Sequence, residues 1–364
     1  MPAISSRVYD TFDPSSWVYL DPSASDDVHE TEHCVMLSNH TKRDALVRVV
    51  VFQKDGSAQL ENLLVHYLQA VRYDEIVIVD HAGVDPKTKE ITQKYVEKGV
   101  HLWRCTGTME DKGGRWSEVC NVYKNDSQYI MPVDVDELMA IRTGFQPGAP
   151  FTRNDDQLVW NRKALKSELL NLPPSDGKPY KLLHAAPVPL DCHTEELVEA
   201  ASEDLLTKHV VPFCKVNSIV RKGRSAISSC FDKNFFRGED FQFTDVGNHH
   251  GHAKYRDCVE NGTQAVYAQS NFVLVHFQVT SFSDWLLHAL RLASDRGFNR
   301  LDEYECPPQH SNPNHACPLF QQLRSMNFSM YGMRELYRSR HCSDAKHWSY
   351  MSAANMTSMS CGVA

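Results

Sequence analysis

Between residues 45 and 133 the apolar positions fall into two alternating kinds of run. Residues 45–52 read Ala-Leu-Val-Arg-Val-Val-Val-Phe, short, β-branched and nearly continuous, the pattern of a strand buried on both faces. The run stops at Gln53-Lys54-Asp55-Gly56, a turn signal. Leu60, Leu63, Leu64, Tyr67, Leu68 and Val71 then share one helical face, with Glu61, His66 and Gln69 on the others. A second buried strand follows at 75–80, then a Gly-Val-Asp-Pro turn with Pro86 suited to the first turn of a helix reaching about Lys98. Gly99 ends that helix, and a third strand is predicted at 100–104. A helix from Ser117 to about Lys124 and a strand at 128–133 complete the series.

Strand and helix alternating in this way imply a parallel sheet with right-handed crossovers, an α/β layer of nucleotide-binding type. Beyond Asp136 the pattern loosens. Pro/Gly-rich connections stand at 146–150 and 173–179, mixed strands are predicted near 180–186, 210–217 and 272–277, and an amphipathic helix runs from Ser283 to about Ser294. No linker-like run divides this half from the first, so one continuous domain is expected over 45–300. Its nucleotide-binding half would be 45–140 and its acceptor half 141–300, with an N-terminal extension (1–44) and an irregular or helical tail (301–364).

The composition, 42% hydrophobic and 23% charged, is that of an ordinary globular protein. The balance of 38 Lys+Arg against 46 Asp+Glu gives a formal charge of -8, which argues against a general nucleic-acid binder. No window approaches the roughly 18 consecutive apolar residues of a membrane span, and residues 1–10 lack a basic segment followed by an apolar one. A soluble, cytoplasmic protein is the expectation. The alternative, the lumen of the secretory pathway, draws support from five Asn-x-Ser/Thr sequons, at Asn39, Asn125, Asn261, Asn327 and Asn355. The 11 cysteines show no Cys-x-x-Cys spacing, which speaks against a zinc ribbon, and most are expected as reduced thiols.

The sharpest chemical feature is Tyr129-Ile-Met-Pro-Val-Asp134-Val-Asp136-Glu137, where an apolar strand runs into three carboxylates. Ligands of open α/β sheets bind at the carboxyl ends of the strands. Carboxylates there suit hard ions such as Mg²⁺ or Mn²⁺, which neutralise a diphosphate. Asp80 closes the second strand at the equivalent edge, either to contact a nucleobase or ribose or to cap the turn before Gly83. Lys112-Gly-Gly-Arg115-Trp116 offers cations and close backbone approach for phosphates, or a plain flexible loop. Glu239-Asp240 lies in an aromatic neighbourhood that would raise a carboxyl's pKa toward that of a general base, or else forms a solvated turn. His249, His250 and His252 are too close in sequence to converge easily on one zinc ion. His276, ending the last clear strand, either completes the metal shell, contacts the diphosphate, or is a semi-buried histidine. Dinucleotide-binding, P-loop and α/β-hydrolase signatures are absent from the sequence.

With these residues in view the chain resembles the GT-A glycosyltransferases, in their family-2-like and family-92-like branch. The matching pieces are Glu61-Asn-Leu-Leu-Val-His-Tyr-Leu, Ile76-Val-Ile-Val-Asp80-His-Ala-Gly-Val-Asp85, Val133-Asp-Val-Asp-Glu137-Leu and His276-Phe-Gln-Val-Thr-Ser-Phe-Ser-Asp-Trp285. They span roughly residues 45–300. The resemblance implies a hexosyl- or pentosyltransferase acting from a UDP or GDP sugar, UDP favoured, onto a glycan or other hydroxyl acceptor. It implies Mn²⁺ or Mg²⁺ at Asp134, Asp136 and His276, with Phe52, Asp80, Lys112, Arg115 and Asp134 around the nucleotide sugar. Asp80 would meet the base, Arg115 the nucleotide, and Asp134 the ribose or donor sugar. Glu239-Asp240 looks like the Glu-Asp pair that supplies the base in family-2 enzymes, Asp240 foremost, for an inverting displacement. Family-92-like chains are better known here by a Lys and an Arg near Lys233 and Arg237. Two rivals stand beside this reading: a nucleotidyltransferase using the same acids, and a non-catalytic sugar-binding protein of the same fold.

Overall fold

The computed structural model describes residues 34–38, 40, 43–107, 111–143, 157–187, 220–222, 233–245, 247–248 and 267–276, with 285, 324–325, 332–333 and 335–337. The expected strand near 210–217, the histidines at 249, 250 and 252, and all of the expected helix at 283–294 except Trp285 lie outside these residues. The chain divides into two compact units. The larger comprises Asp27–Pro187, Val210–Gln278 and Trp348–Ala364, the smaller Met1–Asp26, Val188–His209 and Val279–His347. In the smaller unit Trp285 is buried and its ring centroid lies 5.8 Å from that of Tyr337, itself on a helical turn beside buried Met333 and Leu336.

The larger unit is built on a sheet with a parallel core. Strands β1 (Cys34–Met36), β2 (Ala45–Gln53), β3 (Ile76–His81), β4 (His101–Cys105) and β5 (Ser127–Asp134) contribute its first five members. Helices α1 (Ser57–Tyr67), α2 (Pro86–Val96) and α3 (Lys112–Tyr123) connect the parallel strands. Further on come β6 (Glu137–Thr143), β7 (Gln157–Val159), α4 (Arg162–Asn171), β8 (Tyr180–Lys181), β9 (Leu183–Pro187), β10 (Val220–Lys222), β11 (Asn234–Arg237) and β12 (Phe272–His276). The first sheet has the order β1-β4-β3-β2-β5-β11-β8 and the second β10-β9-β12-β6-β7. Strands β4, β3, β2 and β5 are parallel, while β1 and β11 pair antiparallel at their flanks. The fold class is α/β, as the sequence implies, with a parallel core flanked by helices, although the central sheet as a whole is mixed because β1, β11 and β8 join it antiparallel.

The local reasons are those of the sequence pattern. β2 buries seven residues in succession, 47–53, because helices cover both of its faces. In α1, Leu60, Leu63, Leu64 and Tyr67 are fully buried. α2 starts at Pro86, and the Asp85 carboxylate caps it by accepting hydrogen bonds from the Lys87 and Thr88 amides. Gly99, with φ +112, ends the α2 segment in a conformation that favours glycine. α4 is capped by the Asn161 side chain accepting from the Ala164 amide at 3.0 Å.

Two expectations change. β1 falls within the expected N-terminal extension and forms the sheet's outer edge, where Cys34 and Cys105 are joined in a disulfide. These two depart from the expected reduced state, whereas Cys120 is a buried free thiol. α3 begins at Lys112, five residues before the expected start, because Gly113 and Gly114 form its first turn while Trp116 packs into the core and donates its indole N–H to the Val50 carbonyl at 3.1 Å.

His66, expected on an outer face of α1, is buried. It donates from Nε2 to the Met139 carbonyl at 2.7 Å and stacks on Trp160, 5.4 Å between centroids. Tyr67 beside it donates to the Glu137 carbonyl at 3.0 Å and accepts from the Met139 amide at 3.1 Å. Together they fasten α1 to β6, and so the first sheet to the second.

Burial lowers the His66 pKa from 6.5 to about 4. The unfolded chain takes the proton near 6.5 while the folded protein resists it, so the contribution is complete above pH 6.5 and is lost as pH falls toward 4. We expect the stability gap between wild type and His66→Gln to shrink by about 3 kcal/mol between pH 7 and pH 4. Urea denaturation of both proteins across that range measures it, and a constant gap would contradict the assignment.

Candidate active site at the carboxyl ends of β2, β3 and β5

In a sheet ordered β4-β3-β2-β5 the chain first builds outward from β2 to β3 and β4, then returns to the other side of β2 as β5. The strand order reverses between β2 and β5, and the helical connections leave a crevice at their carboxyl ends. The register brings Phe52 opposite Asp134 and Gln53 opposite Asp80, so the acidic residues read from the sequence stand along one edge. Gly56 keeps the crevice tight: a Cβ there would lie 3.0 Å from a Val135 methyl.

On the β3 side, Gln53 donates its amide to Asp80 Oδ1 at 2.5 Å, and the Gly83 amide donates to the same oxygen at 3.2 Å. Asp55 Oδ1 accepts from the amides of Val84 and Asp85 at 2.6 and 2.7 Å. A Cβ on Gly83 would lie 2.7 Å from Asp80 Oδ1, so only glycine lets the loop close on both carboxylates. Burial raises the Asp80 carboxyl from 3.8 to about 6, with Asp55 pushing the same way, against the Gly83 hydrogen bond and the charge of Arg104. Asp55 was not among the sequence candidates. Its signal was the Asp-Gly turn after β2, and its own φ of +51 fits that turn. Asp80 thus caps the turn, as one of its two readings has it, while its carboxylate stands at the strand edge.

On the β5 side the acids and ammonium groups interlock. Glu137, fully buried, accepts from the Asp134 amide at 2.9 Å and closes the turn between β5 and β6. Lys233, just before β11, reaches Glu137 Oε1 at 2.6 Å and Asp134 Oδ2 at 3.5 Å. Lys112, the first residue of α3, is ion-paired to the other oxygen of Asp134. Its ammonium also lies 5.1 Å from the ring centroids of Phe52 and Trp116. Burial by itself would lower the Lys233 pKa, but Glu137, Asp134 and Asp136 overturn that and raise it above the ordinary lysine value. The register of β12 against β6 sets His276 opposite Glu137, and its Nε2 lies 3.3 Å from Asp136 Oδ2. Burial lowers the His276 pKa, but the Asp136 charge and hydrogen bond outweigh it, so the net shift is upward.

Other candidates fall in different places. Phe52 is a core residue, 5.6 Å from the Trp116 ring and 5.2 Å from His81, so its side chain forms the floor beneath the crevice. Arg115 donates from Nε to the Thr106 carbonyl at 3.1 Å and sits 3.6 Å from Glu118, on the outer side of the first turns of α3. The segment after β11 is locked underneath: Asn248 donates to the carbonyls of Pro132 and Asn234, and Thr244 exchanges hydrogen bonds with Ser117.

Glu239 and Asp240 do not join the site. β11 runs antiparallel to β5, with Phe236 opposite Ile130 and Arg237 opposite Tyr129, and the Gly238 amide donates to the Gln128 carbonyl. The chain after β11 therefore travels toward the amino end of β5. Five residues separate Tyr129 from Asp134, about 17 Å of strand at roughly 3.3 Å each. Glu239 is exposed and paired with Arg237 at 3.3 Å, and Asp240 accepts from the Ser175 hydroxyl at 2.5 Å. The assignment of Asp240 as base is corrected by strand direction, and the residue delivered to the site from this segment is Lys233.

Among the described residues no three His, Cys, Asp or Glu side chains converge into a ready-made metal cage. The donor chemistry nonetheless fits a divalent ion that takes part of its shell from phosphates and water. Asp136 and His276 supply one carboxylate oxygen and one imidazole nitrogen side by side, a mixed set compatible with Mn²⁺ and, through the oxygen, Mg²⁺.

No protein family's sequence pattern matches this chain, and no curated protein does. Similar solved structures are glycosyltransferases. S. aureus TarS 1-349 in complex with UDP is 11% identical, with a TM-score of 0.30, over 78% of this chain and 72% of that one. The mannosyltransferase PcManGT from Pyrobaculum calidifontis, in complex with GDP-Man and Mn²⁺, is 13% identical, with a TM-score of 0.31, over 84% and 79%. The bifunctional enzyme WbbM is 10% identical, with a TM-score of 0.23, and the match spans 40% of this chain and only 24% of that one.

Two outcomes test the site's electrostatics. Lys233→Met strands the buried Glu137 carboxylate and should cost about 3–5 kcal/mol in urea denaturation, with Lys233→Met/Glu137→Leu recovering part of it. A raised carboxyl is stabilising below its unfolded value, and that contribution is lost as pH rises through its folded value. Asp80→Asn should therefore gain on wild type between pH 4 and pH 6, by on the order of 2 kcal/mol. A difference between the two proteins that stays constant from pH 4 to pH 6 would contradict this.

Proposed function

We propose that this chain is a glycosyltransferase that takes a sugar from a nucleotide-diphosphate donor, a UDP sugar by preference, and passes it to a hydroxyl of a glycan or similar acceptor. The observation that carries the reading is the convergence of Asp80, Asp134-Val-Asp136-Glu137, Lys112 and His276 at one switch-point crevice. A nucleotide sugar presents a base and ribose, a diphosphate and a neutral sugar. The crevice answers these in order, with a hydrogen-bonding carboxylate, a helix amino terminus bearing an ammonium group, and an acidic turn.

Asp80 and Gln53 are suited to the hydrogen-bonding edge of the base or to ribose hydroxyls. Lys112 stands where the amides of the first turn of α3 and its own charge both favour an anion. A diphosphate there would share Lys112 with Asp134, whose second oxygen stays with Lys233. Mn²⁺ or Mg²⁺, held by Asp136 and His276, would neutralise the diphosphate and favour its departure. The acceptor oxygen forms its bond to the anomeric carbon as the bond from that carbon to the diphosphate oxygen breaks, with inversion. The hydroxyl proton passes to a base other than Asp240, which lies at the far end of β5.

The test is a screen of common nucleotide sugars with Mn²⁺, following nucleoside diphosphate release with and without chelator. One donor should be turned over, with release falling about 100-fold or more in Asp136→Ala and in chelator. Pyrophosphate in place of nucleoside diphosphate would shift the reading to a nucleotidyltransferase. Donor or glycan binding without turnover, unchanged in Asp136→Ala, would make the protein a binding module.

A further inference from the structure

Two features outside the ion-paired residues of the crevice point to the same environment. The first is the disulfide between Cys34 and Cys105, which joins the edge strand β1 to β4 and is almost entirely buried. Disulfides of this structural kind belong to oxidising compartments and are rare where thiols are kept reduced. The second is the sequon Asn125-Asp126-Ser127. It runs from the 3₁₀ turn Lys124–Asp126 into Ser127, the first residue of β5, and its asparagine is exposed. Asn125 is at the amino end of β5, and the acidic turn is at the carboxyl end, so a bulky group on Asn125 projects away from the crevice.

We infer that this chain folds in an oxidising, glycosylating compartment and carries an N-linked oligosaccharide on Asn125. The bond formed joins Asn125 Nδ2 to the anomeric carbon of the oligosaccharide. The bond broken links that carbon to a lipid-diphosphate carrier, and the amide proton leaves with the released diphosphate. The geometry also fixes the order of events. Ser127, the hydroxyl residue of the sequon, is buried in the native fold and its Oγ accepts from the Arg48 guanidinium at 3.4 Å. A glycosylating enzyme that must engage the whole tripeptide has access to it only before β5 docks beside β2. Glycosylation is therefore a step taken by the unfolded chain, and the finished protein is not a substrate.

The experiment uses the full chain isolated from its own cells with thiols alkylated at lysis. Peptide mapping without reductant is followed by enzymatic release of N-glycans in ¹⁸O water. The expected result is a Cys34–Cys105 linked peptide and a glycan-dependent conversion of Asn125 to ¹⁸O-labelled Asp. The full chain sent through a secretory pathway should lose one glycan's mass in Asn125→Gln, with the thermal transition and any donor turnover unchanged. Unfolded chain, but not folded chain, should accept glycan when mixed with microsomal membranes. An unmodified Asn125 in the native material overturns the inference, as do alkylated Cys34 and Cys105. Equal modification of folded and unfolded chain overturns the proposed order.

Discussion

The crevice depends on one buried cation. Lys233 stands with its ammonium between Glu137 and Asp134, out of water, where an unpaired charge would be very costly. Because Glu137 also accepts the Asp134 amide, the same ion pair fixes the turn in which the parallel strand β5 gives way to β6 and the second sheet begins. Without it three carboxylates within four residues would repel one another and the turn would splay. With it, Glu137 becomes a structural residue, Asp134 is shared between two ammonium groups, and Asp136 is left at the rim beside His276. The division of labour among three chemically similar acids thus comes from where one lysine reaches.

The parallel core was legible in the sequence because its information is local. Continuous β-branched runs at 45–52 and 75–80, the helical spacing of Leu60, Leu63, Leu64 and Tyr67, and the Asp85-Pro86 start signal each specify an element without reference to the rest of the chain. Their alternation then restricts the topology, since right-handed crossovers put the ends of β2, β3 and β5 on one edge. Asp80, Asp134 and Asp136 followed from that. His276 followed as well, since a histidine ending an apolar strand meets the edge where that strand pairs.

What was not legible depends on strand direction and on packing at a distance. Glu239-Asp240 looked apt as a base because of its aromatic neighbours. Those neighbours, Phe235, Phe236 and Phe241, are buried because β11 inserts beside β5, and its antiparallel sense carries the two acids away from the crevice. Nothing within residues 235–241 encodes that sense. It is set by the long-range contacts of Asn248 with Pro132 and of Thr244 with Ser117, over 116 and 127 residues of sequence. Lys233 came into view only through the family-92-like resemblance and not from its own surroundings, for the same reason, since its partners Glu137 and Asp134 are about 100 residues away. The early start of α3 was hidden by Gly113 and Gly114, poor helix formers in isolation, which are held in place by Trp116 in the core.

On the proposed function, an anion enters a crevice whose cation is already engaged. In the absence of ligand the Lys112 charge is already matched by Asp134, and it rests over the Phe52 and Trp116 rings. A diphosphate does not meet an unpaired cation; it competes with a carboxylate for a partly buried one, and the gain in Coulomb energy is correspondingly smaller. Lys233 changes that balance. When Lys112 turns toward an incoming anion, Asp134 keeps a positive partner through its second oxygen, so it is not stranded as an uncompensated charge. On the proposed function the two lysines would act in sequence, one to meet the anion and one to hold the acid that has been released. This exchange favours an anion that supplies more than one oxygen, because a single hydrogen bond would not outweigh the Asp134 contact it displaces, whereas a diphosphate spanning Lys112 and the amides at the start of α3 would.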